Sequence, residues 1–171
     1  MRPDNDPSPA PFGALAPNAA QAAIIALAQR TGLKRGAFRP WLSRLLNLLR
    51  AGPLDVNYQG AAFRLYHQGS ATERGALLNP DYNIEELKFL RAHLTPGGVF
   101  VDVGANVGTY ALALARDVGA AGRVIAIEPH PVTHGWLGGR ISNFAGLGTR
   151  LMAQSDGAGP VSRPRQRRAT R

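Results

Sequence analysis

Residues 99–103 read VFVDV, an apolar run with an aspartate near its end, and GANVG follows at once. A helical stretch, VGTYALALARDVG (107–119), comes next, then a Gly-Arg turn and a second apolar run, RVIAIEP (123–129). Strand, helix and strand within about 30 residues make a βαβ unit, which requires a parallel sheet with a right-handed crossover. Both runs are continuously apolar rather than alternating, as expected of strands covered on both faces. The fold class that follows is α/β, with an incomplete parallel sheet built on the βαβ unit of residues 99–129.

Ligands of open parallel sheets lie at the carboxyl ends of the strands. Asp102 and Glu128 each stand at such an end, and a carboxylate there needs a hydrogen-bonding partner. Gly104 and Gly108 permit positive φ and close approach of backbone, while Asn106 tolerates the left-handed region better than most residues. Glu128 follows Gly108 by 20 residues, the spacing at which a second-strand carboxylate meets ribose hydroxyls. The plainer alternative is a βαβ unit with a tight glycine turn and an exposed acid at each end. Two carboxylates, two glycines and Asn106 at these spacings favour a nucleoside-cofactor site. A dinucleotide wants GxGxxG, because its pyrophosphate rests on bare amides at a helix N-terminus. Here the pattern is DxGxNxG, and negative charge at Asp102 suits a phosphate-free, cationic nucleoside such as S-adenosylmethionine. No GKS or GKT follows, which excludes a P-loop.

DVGANVGTYALALA followed by VIAIEPHP resembles the FkbM-type methyltransferases, a branch of the class I S-adenosylmethionine-dependent methyltransferases. YNIEELKFLRAHLTPGGVF is similar to the helix and loop that lead into that family's first motif, and the resemblance covers roughly residues 55–131. It implies a Rossmann-like fold and transfer of a methyl group to a hydroxyl on a sugar or natural product. By position, Asp102, Gly104, Asn106 and Gly108 would surround the methionine part of the donor, with Ala105, Val107 and Thr109 as backbone and wall. Glu128 would hold the ribose hydroxyls, and His130 would be a surface loop residue rather than a base. The catalytic base is not among these residues: the family places such groups on later strands.

The flanking sequence divides into three further parts. Residues 1–18 contain five prolines and read as a disordered or loosely attached leader. Residues 19–82 read as N-terminal helices and a hairpin. In the first helix (19–30) Ile24, Leu27 and Ala28 share a face, and in the second Trp41, Leu45, Leu48 and Leu49 form a stripe. LDVNYQGAAFRLYH (54–67) has two β-rich runs about Gln-Gly, a hairpin signal. The cofactor unit then occupies 83–131, its leading helix carrying Ile84, Leu87, Leu90 and Leu94, with Asn83 as cap and Glu85 and Glu86 in the first turn. Residues 132–171 scatter glycine and show no alternation long enough for a third strand, so they read as an irregular or off-frame tail. The excess of Arg over Lys, 18 to 2, fits a GC-rich frame shifted or truncated near residues 132–140. A sheet of two or three strands leaves edges and faces uncovered, so weak or no turnover is expected.

The formal charge of +9 is mostly a tail property: residues 1–128 carry +3 and residues 129–171 carry +6. Arg163, Arg165, Arg167, Arg168 and Arg171 have no interleaved aromatic residues, so a solvated tail is favoured over a nucleic-acid site. There is no cysteine, hence no disulfide or thiolate metal site. AAQAAIIALAQ is too short to span a bilayer, and no basic leader precedes it, so a cytoplasmic protein without a membrane partner is expected. The readings stand in order as a methyltransferase acting on a small-molecule or saccharide acceptor, an NAD-type oxidoreductase module, and a basic-tailed nucleic-acid binder.

Overall fold

The computed structural model describes residues 10–130, Leu137 and the backbone of a strand at 150–154. The order is α1 (Ala19–Arg30), a short 3-10 turn (Gly32–Lys34), α2 (Phe38–Leu49), β1 (Leu54–Tyr58), β2 (Ala61–Leu65), α3 (Ala71–Leu78), α4 (Ile84–His93), β3 (Val99–Val103), α5 (Thr109–Val118), β4 (Arg123–Ile127) and β5 (Arg150–Gln154). The class is α/β, as expected. An antiparallel hairpin, β1–β2, is separate from a parallel sheet ordered β3-β4-β5.

The hairpin closes where Gln-Gly predicts it. Gln59 and Gly60 both take positive φ, 51° and 84°, which matches the twist of a two-residue turn. Tyr58 then pairs with Ala61 and Leu54 with Leu65. In the parallel sheet Val99 faces Arg123 and Val103 faces Ile127, so Asp102 and Glu128 emerge at the same end. The strand β5 pairs along β4 from Arg123↔Arg150 to Ile127↔Gln154. This corrects the expectation of no third strand: RLMAQ is short and weakly patterned, and its ladder partner is a distant segment. The rest of the expected irregular tail, apart from Leu137, lies outside the described residues.

Helix α5 is the shared layer of the molecule. Leu112, Ala113 and Leu114 join the larger core of α1, α2, the hairpin, α3 and α4, which includes Leu46, Phe63, Leu77 and Leu87. Its other side, Ala111, Ala115 and Val118, packs on Val124, Ala126, Ala105 and Leu137. α5 is apolar on two faces and buried on both, its alanines keep those neighbours close, and Arg116 and Asp117 mark its exposed side. On the sheet's far side β3 leaves Val99, Val101 and Val103 at 60%, 49% and 77% exposure. These are alternate residues and therefore one face. The expectation of strands covered on both faces thus fails at β3 among the described residues.

Three other readings are corrected. The first helix buries Gln21, Ile25 and Ala28 and leaves Leu27 57% exposed. Gln21 caps with Asn18 and donates its amide to the Leu46 carbonyl, so a polar contact decides which face turns inward. The second helix buries Leu42, Ser43 and Leu46, whereas Trp41 and Leu48 face solvent at 60% and 83% exposure. Residues 10–16 are not loosely attached. Asp55 Oδ2 accepts the amides of Gly13 and Leu15, Arg50 donates to the Leu15 carbonyl, and Arg64 donates to the carbonyls of Ala10 and Pro11. Arg64 also forms a buried two-pronged ion pair with Asp55, at 2.7 and 3.0 Å. The first nine residues lie outside the described residues.

Candidate functional site

The three left-handed positions required of the turn are present. Gly104, Asn106 and Gly108 have φ of 77°, 50° and 80°. The turn folds over the end of β4 because the amides of both Gly104 and Ala105 donate to the Ile127 carbonyl, at 2.8 and 3.0 Å. Gly108 closes it by donating to the Ala105 carbonyl, at 2.7 Å. The two glycines serve different needs. A Cβ on Gly108 would stand 2.7 Å from the Leu137 side chain, whereas a Cβ on Gly104 would meet nothing within 4 Å. Gly108 therefore lets the core close, and Gly104 leaves open space at the strand ends.

Both carboxylates find partners, and both partners are backbone. Asp102 is buried and its Oδ2 accepts the Ala111 amide at 3.1 Å. It thereby caps α5 from outside, where the N-cap residue Gly108 has no side chain to do so. Burial pushes the Asp102 carboxyl above its ordinary range, and the Ala111 amide offsets this only in part. No side-chain cation pairs with Asp102 among the described residues. Glu128 is 7% exposed and uses both oxygens: Oε2 accepts the Asn106 amide at 2.8 Å and Oε1 the His130 amide at 2.9 Å. A carboxylate offers about four lone-pair sites, so each oxygen of Glu128 keeps acceptor capacity. Asn106 itself is exposed, and Ala105, Val107 and Thr109 are buried wall. His130 is exposed in the loop after β4, as expected of it, but its backbone amide fixes Glu128, a role no sequence pattern signals.

Chemically, the strand ends form a small acidic cradle with open space over Gly104. The arrangement is hostile to a pyrophosphate, because two carboxylates face the turn and one amide at the start of α5 is already held by Asp102. Among the described residues no group of three or more His, Asp or Glu side chains is placed to hold a metal ion. No described helix is long and apolar enough to cross a membrane. The five tail arginines proposed for nucleic acid lie outside the described residues.

No family model matches the chain, and no curated protein matches it. Among solved structures it is similar to a protein of Pyrococcus horikoshii provisionally assigned as a transferase, with 20% identity and a TM-score of 0.42 over 60% of this chain. The chain spans 36% of the length of that protein. A likeness so remote says nothing of what this chain does.

Proposed function

We propose that the β3–α5 turn and the end of β4 bind S-adenosylmethionine, and that the chain serves FkbM-type methyl transfer to a hydroxyl of a sugar or natural product. One observation carries this reading: Glu128 and Asp102 bracket a turn of three left-handed residues, and Glu128 is clamped to that turn through the Asn106 amide. The clamp holds the carboxylate in one orientation at the mouth of the site, with lone pairs left for a ribose diol. Asp102 supports a cationic ligand, since a buried carboxylate lacking a side-chain cation is stabilised by positive charge nearby. Gly104 leaves room for close approach, and Asn106 is exposed beside it with an amide that both donates and accepts. When bound, the donor supplies a methyl group on a cationic sulfur. The protein's own part is alignment, which is worth several kcal/mol in such displacements.

Calorimetry of the full chain with S-adenosylhomocysteine and, separately, with NAD tests the proposal. The homocysteine compound binds and NAD does not. Glu128→Gln weakens that binding by about 10- to 100-fold, from loss of about 1.5–3 kcal/mol in charge-assisted hydrogen bonds. Binding of NAD in preference, or indifference to the Glu128 substitution, would refute the assignment.

A further inference from the structure

A second concavity lies beside the turn, and the cradle does not account for it. It is a cleft of about 530 Å³ lined by Glu85, Glu86, Phe89, Leu90 and Tyr110. Its place is set by α4 and by the first turn of α5. Arg91 holds α4 there, binding Asp117 of α5 at 3.0 Å and Gln59 of the hairpin turn at 3.1 and 3.3 Å. Tyr110 precedes Ala111, whose amide Asp102 accepts, and the Asp102 charge acts on the Tyr110 hydroxyl, which puts the cleft at the same end of α5 as the candidate donor site.

Its walls and rim differ in character. Phe89 leaves an aromatic ring 63% exposed, and Leu90 and Tyr110 continue the apolar surface. The two carboxylates are not equivalent. Glu85 is tied to Lys88 Nζ at 2.8 Å, whereas Glu86 makes no hydrogen bond or ion pair among the described residues. Acids in the first turn suit the dipole of α4, which explains their charge. It does not explain the apolar surface beside them; Glu86 itself is exposed, its carboxylate solvated and open to a donor.

We infer that this cleft takes the methyl acceptor, and that the acceptor is a flat, largely apolar alcohol whose hydroxyl donates to Glu86. The inference rests on the proposed function for the acceptor role, but the cleft's occupancy does not. The concavity is shallow and open, so it receives one face of a small organic molecule and leaves the other in water. A polyhydroxylated sugar would lose water at most of its hydroxyls against Phe89 and Leu90 without replacement partners, which is costly. An aromatic alcohol buries its rings against Phe89 and Tyr110 and needs only one polar partner.

The test uses the full chain with 2-naphthol and methyl α-glucoside as probes, followed by ligand-observed NMR, with S-adenosylhomocysteine binding measured in parallel. The expected result is saturable 2-naphthol binding that Phe89→Ala weakens at least fivefold and Glu86→Gln about fivefold, with S-adenosylhomocysteine affinity unchanged in both variants. Phe89 is largely exposed, so its truncation leaves the core intact. Methyl α-glucoside binding as tightly as 2-naphthol, or 2-naphthol binding unmoved by both substitutions, overturns the inference while leaving the donor site standing. Failure of S-adenosylhomocysteine to bind the unaltered chain removes the acceptor role together with the proposed function, whatever 2-naphthol does.

Discussion

Acidification should destabilise this protein through His67. It follows β2, is fully buried, and its Nδ1 lies 2.7 Å from Ser43 Oγ. Ser43 also donates to the His67 carbonyl, and Gln68 donates its side-chain amide to Ser43 Oγ and to the Ser43 carbonyl. Among the described residues the Nε2 atom makes no hydrogen bond of good geometry, although the nearby Gly52 backbone favours the protonated ring slightly. Loss of water on burial pulls the imidazole down to about 4 from 6.5; Glu73 opposes this, and Arg74 adds to it. The ring is thus neutral in the folded state over a range where the unfolded chain binds a proton. Stability from this group is complete above pH 6.5 and is lost as pH falls from 6.5 toward 4. At about 1.36 kcal/mol for each unit, the full loss is about 3 kcal/mol, and about 2.5 kcal/mol appears between pH 7.5 and 4.5. Urea unfolding followed by circular dichroism at those two pH values, for the unaltered chain and His67→Gln, reads this directly. The variant is less stable at pH 7.5 but loses about 2.5 kcal/mol less on acidification. Asp102, whose carboxyl is raised, stabilises the fold as pH falls, and it cancels in the comparison because both proteins carry it. Equal losses in the two proteins would refute the argument, as would an NMR titration placing His67 near 6.5.

Two further outcomes follow from backbone and surface. Gly122→Ala places a Cβ 2.0 Å from the Val118 side chain and within 3 Å of two carbonyl oxygens, so it costs more than about 3 kcal/mol; Gly104→Ala, strained only by its φ, costs about 1–2 kcal/mol, and thermal melts of the two give that order. The open valine face of β3 binds anilinonaphthalene sulfonate and promotes self-association at high concentration; the double variant Val101→Thr, Val103→Thr lowers both dye fluorescence and sedimenting mass, and unchanged values would mean that the face is covered in solution.

The features legible in the residues alone are those governed by local sterics and short spacing. Gln59-Gly60 closes a hairpin because few residues accept the left-handed region that a twisted two-residue turn needs. The boundaries of β3, α5 and β4 follow from a change of apolar period, and the conformations of Gly104, Asn106 and Gly108 from the same steric rule. The location of Asp102 and Glu128 at strand ends comes with them. Their partners do not. That Asp102 caps α5, and that Glu128 holds the Asn106 and His130 amides, depends on strands brought into register across an intervening helix.

Tertiary packing decided the rest. Both N-terminal helices offer apolar residues on more than one face, and hydrophobicity alone does not choose among them. Gln21 reaching the Leu46 carbonyl and Ser43 reaching His67 make the choice, since burying either polar group unpaired would be costly. Asp55 and Arg64 likewise bind residues 10–16, which carry no periodic signal of their own. The strand β5 forms against the edge of β4, and the cleft beside Tyr110 exists only because Arg91 seats α4 on α5 and on the hairpin turn. Turn chemistry acts within a few residues and is written in them. Which face is buried and which amide reaches which carboxylate are long-range outcomes, settled only when distant buried polar groups find their partners together.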